Sequence, residues 1–166
     1  MTQPLEVLGL DFSEFAFIDL GCGKGKPILV AAPFGFKKLV GIDISARCIE
    51  IARQNVRVCW PQDLLSGRIE LLHGDVEDYK IPTMPRVFYL FNPFPAGVLE
   101  VVVRKLETSL RTDPRVTIII YVNPKHAVSV ESCHYFHRIP FSPKPSIQQA
   151  IRLYATRDSR LGRERT

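Results

Sequence analysis

Phe17-Ile18-Asp19-Leu20-Gly21-Cys22-Gly23-Lys24-Gly25 carries an apolar run into an acid and then into three glycines spaced by single residues. Read as backbone, it is a buried strand that ends in a tight turn almost bare of side chains and opens a helix. Glycine tolerates positive φ and lets a ligand approach the main chain with no Cβ in the way. A strand, a glycine turn and a helix N-terminus in series make a nucleotide-type binding site at the carboxyl end of a sheet. The spacing narrows the choice. It is Gly-x-Gly-x-Gly with an acid two residues before the first glycine, not the Gly-x-Gly-x-x-Gly of dinucleotide sites. No Gly-Lys-Ser/Thr follows, as a P-loop requires. A glycine turn alone is equally a structural turn, so the rest of the chain has to decide.

Three further segments bear on it. Val40-Gly41-Ile42-Asp43 is a second apolar run closed by an acid, with Asp43 22 residues past Gly21. An acid at the end of a second strand can accept hydrogen bonds from both hydroxyls of a ribose, because a carboxylate only accepts. Dehydrogenases carry an acid at similar spacing, so Asp43 alone leaves both classes open. Ile69-Glu70-Leu71-Leu72-His73-Gly74-Asp75 reads as a third strand ending in a Gly-Asp pair, which is also an ordinary turn dipeptide. Arg86-Val87-Phe88-Tyr89-Leu90-Phe91 reads as a fourth, running into Asn92-Pro93-Phe94-Pro95.

In this order the four segments resemble the motifs of class I S-adenosylmethionine (SAM)-dependent methyltransferases, over about residues 15–156. More loosely, the chain is similar to bacterial members of unassigned substrate that share this first strand and turn, a Tyr-Leu-Phe-Asn-Pro-Phe-like fourth strand and a Tyr-Val-Asn-Pro-like fifth. The resemblance implies an α/β fold: a three-layer α-β-α sandwich around a mostly parallel seven-stranded sheet with a C-terminal antiparallel hairpin. It implies SAM as cofactor and S-adenosylhomocysteine as product. It also implies a set of site residues. Gly21, Cys22, Gly23 and Gly25 carry the methionine end of the cofactor, and Asp19 faces its amino group. Asp43 takes the ribose, with Ile44 beside it, and Gly74, Asp75 and Val76 take the adenine. Asn92 touches the cofactor and, with Phe94, positions the acceptor. An Asn-Pro turn closing a strand is the structural alternative there.

Asn92-Pro93-Phe94-Pro95 looks like the Asn-Pro-Pro-Tyr/Phe motif of enzymes that methylate planar nitrogens. Phe94 holds the place of the second proline and Pro95 that of the aromatic. A nitrogen on a protein side chain or a base is therefore the weak favourite as acceptor, ahead of a small molecule. Methyl transfer is an in-line displacement in which the cofactor supplies the leaving group. The lack of a Ser-His-Asp set or metal cluster thus does not count against an enzyme. Members of the family usually carry a substantial segment before the first strand that helps cover the cofactor, and about 14 residues precede it here. A SAM-binding module that is inactive without such a cover or a partner is the second reading. An NAD-linked reductase is a third, for which the last glycine is misplaced.

Composition is compatible with all three. The chain has 166 residues, 46% hydrophobic and 23% charged, an ordinary globular balance in one domain. No apolar run approaches the roughly 20 residues of a membrane span, and no signal peptide is visible. Cys22, Cys48, Cys59 and Cys133 form no Cys-x-x-Cys pair; Cys22 and Cys48 read as small buried thiols, and a reducing cytoplasm is expected. Net charge is +5. Residues 157–166 hold four arginines against Asp158 and Glu164, a basic tail read as flexible and solvated beyond a single SAM-binding domain of residues 1–156. Nucleic-acid binding through that tail is not expected.

Strands and helices alternate, which argues for a parallel sheet. Strands are expected at residues 15–20, 38–43, 68–72, 86–91, 116–122, 134–139 and 150–156. A first helix starts near Lys26 and ends at Pro33, with Gly35 completing the exit. Ser45 caps a second helix through Asn55, with Cys48, Ile51, Ala52 and Val56 inward. Residues 77–85 read as an irregular crossover. A helix over 96–110 turns Val98, Val101, Val102, Leu106 and Leu110 inward, and a short helix follows Pro124. Pro140, Pro143 and Pro145 break the chain between the last two strands. Tyr121 and Asn123 fall on the site's edge of the sheet. His73 reads as a satisfied strand end, His126 as a base near the mouth, and Lys24 and Lys26 as solvated or facing an acidic group. His134 and His137 fall on opposite faces of a strand, which disfavours a metal. Trp60 reads as core or hinge.

Overall fold

The computed structural model of the chain describes residues 2–144 and 149–156. Helix α1 (Thr2–Leu8) precedes strand β1 (Ala16–Leu20), whose five residues are all buried. Then come α2 (Lys26–Ala31), a 3-10 turn over Ala32–Phe34, β2 (Lys38–Asp43), α3 (Ala46–Cys59) and α4 (Pro61–Leu65). β3 (Ile69–His73) is followed by an irregular crossover, β4 (Arg86–Phe91) and α5 (Ala96–Thr112). β5 (Thr117–Val122), α6 (Ala127–Glu131), β6 (Phe136–Ile139) and β7 (Ile151–Thr156) complete the described residues.

The sheet runs β3-β2-β1-β4-β5-β7-β6. The first five strands are parallel, and β7 enters antiparallel between β5 and β6. The chain therefore winds outward one way from β1 and the other way from β4. The reversal between those strands opens a crevice at their carboxyl ends, where ligands of doubly wound sheets bind. Strand residues alternate between two cores. Phe17, Leu39, Val87 and Ile118 join Leu5, Ile28, Ile49 and Val56 on one face, and Ile18, Val40, Phe88 and Ile119 join Leu99, Val103 and Leu106 on the other. Burying each such side chain contributes about 1.5–3 kcal/mol.

Several expectations shift. α1 and α4 lack a sequence periodicity and were not expected. α1 buries only Pro4 and Leu5, and α4 buries no residue. α3 continues to Cys59; Ser45 Oγ accepts from the Cys48 amide as the cap, but Ile49 is buried in place of Cys48 and Ile51, which are half-buried. In α5 the buried set is Leu99, Val102, Val103, Leu106 and Leu110, with Val98 and Val101 only partly covered. Trp60 is the joint between α3 and α4, half-buried against the core. His134 lies in a turn before β6, not on a strand, so the opposite-face argument does not apply to it. The tail 157–166 and Pro145 lie outside the described residues.

Candidate active site

The crevice is a cavity of about 780 Å³. The glycine turn forms one wall. Gly21, Gly23 and Gly25 all have positive φ, at 78°, 52° and 80°. Each needs its glycine for a different reason. A Cβ on Gly21 would lie 2.5 Å from Pro93 Cβ, so Pro93 takes the place of a side chain. A Cβ on Gly25 would touch Ala52 at 3.0 Å, so α2 packs directly on α3 there. A Cβ on Gly23 would meet no atom within 4 Å. Gly23 lines the cavity and presents bare main chain to it; Gly25 does not line it.

Asp19 ends in the floor of the cavity, 1% exposed, with Oδ2 making no hydrogen bond. Burial pushes its carboxyl well above the usual range, and the nearby charge of Asp43 adds to the rise. Asp43 does more than line the wall. Its Oδ2 accepts from the Gly23 amide and its Oδ1 from the Ser45 amide, both at 2.8 Å. One carboxylate thus pins the glycine turn to the start of α3. Each oxygen keeps a further lone pair for a ligand hydroxyl. Ile44, next along, is 74% exposed and also lines the cavity.

Gly74, Asp75 and Val76 line the same cavity beyond the end of β3. Asp75 Oδ1 accepts from the Glu77 amide at 2.9 Å, and the Gly74 amide donates to the Asp43 carbonyl. Cys22 is buried beneath the turn, and burial pushes its thiol up, which makes it inert. His73 Nε2 lies 3.1 Å from the Ile44 carbonyl, a satisfied strand end.

Phe94 lines the cavity together with Pro93 and Pro95. Asn92 does not. It has a positive φ of 41° and lines an adjoining cleft of about 600 Å³ with Asn123, Lys125 and Arg152. Tyr121 Oη donates to Asn92 Oδ1 at 3.5 Å and accepts from the His126 amide. The His126 ring belongs to neither lining set, so its reading as a base at the mouth finds no support. Phe91, 46% exposed, borders both spaces.

Sequence reasoning missed several wall residues. Tyr89 pairs in register with Asp19 across β1 and β4 and lines the cavity; burial pushes its hydroxyl up, with Asp19 adding. No motif marks it in the sequence; the parallel register of β1 and β4 brings it beside Asp19. Thr2, Val30 and Gln149 also line the cavity, and no motif singles them out in the sequence.

The doubly wound seven-stranded sheet, with a glycine turn after β1 and an antiparallel β7 beside β5, is that of Rossmann-like methyltransferases. The "Methyltransferase domain" family matches residues 17–113, and the chain belongs to it. It is 31% identical over 144 residues to a protein-lysine N-methyltransferase of Saccharolobus islandicus, covering 82% of this chain and 83% of that protein. It is 36% identical over 76 residues to protein arginine N-methyltransferase 1 of Saccharomyces cerevisiae, covering 46% of this chain and 20% of that protein. A ribosomal protein L11 methyltransferase of Edwardsiella ictaluri is 36% identical over 63 residues, or 38% of this chain and 20% of that protein. The chain thus spans most of the first relative and about a fifth of the other two. Among solved structures, an RNA methyltransferase of Salinibacter ruber in complex with S-adenosyl-L-homocysteine superposes with a TM-score of 0.62 at 16% identity, over 95% of this chain and 90% of that one. A ribosomal protein L11 methylase of Lactobacillus delbrueckii gives 0.56 at 18%, over 85% and 69%. No helix among the described residues is long and apolar enough to cross a membrane.

Proposed function

We propose that this chain is a SAM-dependent methyltransferase acting on a nitrogen of a protein or nucleobase. The observation that carries the cofactor is the unpartnered Oδ2 of Asp19, buried in the same cavity as the bare Gly23 main chain and the Asp43 carboxylate. These are the acceptor for an ammonium group, the cradle for an extended chain and the acceptor for vicinal hydroxyls. The residues present fit SAM in each part.

When bound, SAM supplies an electrophilic methyl on a sulfonium and leaves as a neutral thioether. The chain has to bind, align and dry the site. Asp19, ionised beside a cationic amino group, accepts its hydrogen bonds. Asp43 uses its remaining lone pairs on the ribose while it holds the turn. Ile44 and Val76 give an adenine ring apolar surface, and the free Oδ2 of Asp75 accepts from its amino group. Phe91, Pro93, Phe94 and Val98 wall the cavity and exclude water where the acceptor must meet the methyl in line. Asn92 offers its carboxamide from the adjoining cleft to orient the acceptor across Phe91. The relatives named for lysine and arginine N-methylation support a protein nitrogen over a small molecule. Four free thiols suit a reducing compartment, which supports a cytoplasmic setting.

Calorimetry with SAM and S-adenosylhomocysteine tests the reading. Micromolar binding is expected, and Asp43→Ala should weaken it at least about a hundredfold, since charge-assisted hydrogen bonds are worth about 1.5–3 kcal/mol each. Thermal unfolding of the variant separates lost contacts from a loosened turn. Absence of binding by the folded wild type would overturn the assignment. An Asn92→Ala variant that keeps cofactor affinity but loses turnover on lysine-rich peptides would place the acceptor.

A further inference from the structure

A second groove, of about 580 Å³, runs along the outer side of α5. The irregular crossover contributes Tyr79, Lys80 and Ile81, and α5 contributes Val101, Arg104 and Ser109. It adjoins the cofactor cavity: Val98 lines the cavity and Val101, one turn on, lines the groove.

Its charge is lopsided. Lys80, Arg104 and Lys105 face a single acid, Asp78. Lys80 and Arg104 are exposed, and neither makes an ion pair among the described residues. Lys105 Nζ donates to the Glu77 carbonyl and so leans over the groove's edge. Beneath the floor lies a fourth cation. Arg86 is fully buried and donates to Thr117 Oγ1 at 3.0 Å, the Pro82 carbonyl at 2.7 Å and Ser109 Oγ at 3.1 Å. All three acceptors are neutral, and no carboxylate pairs with it among the described residues. Burial and the neighbouring Arg115 push its guanidinium down to about 10. A buried charge held only by neutral acceptors is costly. Ser109 relays it: its oxygen accepts from Arg86, which leaves its O–H polarised and free to donate outward.

We propose that this groove is a phosphate-binding site, with Lys80, Arg104 and Ser109 as donors and a phosphate ester as ligand. Two cations and a polarised hydroxyl suit the anionic oxygens of such a group, three in a monoester and two in a diester. Tyr79, Ile81 and Val101 leave an apolar strip for the rest of the ester. The ester can come from a free nucleotide or from a phosphodiester strand that reaches the site along α5. The site is independent of the SAM cavity, because neither Lys80 nor Arg104 lines it.

The test uses the full chain with uridine 5′-monophosphate and a ten-residue oligouridylate, followed by amide chemical shifts and calorimetry. Shifts are expected at Lys80, Arg104 and Ser109. Lys80→Gln with Arg104→Gln should weaken binding at least tenfold while SAM affinity is unchanged. Comparable affinities for the two probes identify a free ester. An oligomer more than tenfold tighter, with affinity falling steeply in salt, identifies a strand. The proposal is overturned if neither probe shifts the groove amides at millimolar concentration. It also fails if the double variant binds as the wild type does, or if a ten-residue glutamate peptide gives the same shifts. SAM binding, measured alongside, fails or holds independently.

Discussion

Asp19 concentrates the conflict between folding and binding in one side chain. Its folded pKa is lifted by burial first and by Asp43 second. The folded chain therefore holds a proton that the unfolded chain gives up. Stability falls as pH rises from the unfolded carboxylate's range, near 4, toward the folded value. Asp19→Asn removes that cost, so the ligand-free variant should melt higher at neutral pH, by about 2–4 °C for each kcal/mol recovered in a chain of this size. The same variant should lose SAM affinity, because an amide oxygen is a weaker acceptor for an ammonium. A cationic ligand also holds Asp19 ionised, so binding releases a proton and affinity rises with pH until the free side chain ionises on its own. Calorimetry in buffers of different ionisation enthalpy reads that proton directly. Asp19 was legible from its place before the glycines. Its missing partner was not, because burial and hydrogen bonding are three-dimensional properties.

At the scale of elements, the glycine turn was legible and its internal division of labour was not. Three glycines at alternate positions look equivalent in sequence, yet one yields to Pro93, one to Ala52 and one to open space. Gly21→Ala should therefore destabilise by about 1–3 kcal/mol, combining a left-handed backbone with an overpacked contact. Gly23→Ala carries only the backbone strain, so its thermal loss should be smaller and its loss of SAM affinity larger. Paired melting and titration curves decide it. The helix α5 teaches the same lesson. Val98 and Val101 have the spacing of core residues, but they border the cavity and the outer groove. Apolar periodicity records that a face is kept from water, not what covers it. Strand β2 matched its expected bounds because an acid and a capping serine mark its end. Helix α1 had no comparable mark.

At the scale of the molecule, the sheet sets a gradient of order. Every strand but β3 and β6 pairs on both sides, and β1 and β4 lie side by side at the middle of the sheet, almost wholly buried. Hydrogen exchange should therefore be slowest in β1 and β4 and fastest among the strands in β3 and β6, as mass spectrometry of peptic fragments would show. A saturating cofactor should extend protection to residues 21–25 and 43–45 before any other segment. The antiparallel strand β7 has one more consequence. Its reversal returns the chain to the foot of the sheet, where Thr156 Oγ1 accepts from the Thr117 amide, while Thr2 borders the cavity mouth at the opposite pole. The two ends of the described fold are thus unequal as handles. A surface tether or reporter placed after Thr156 hangs from the blind pole and leaves the entrance clear, whereas anything joined ahead of Thr2 stands in the doorway.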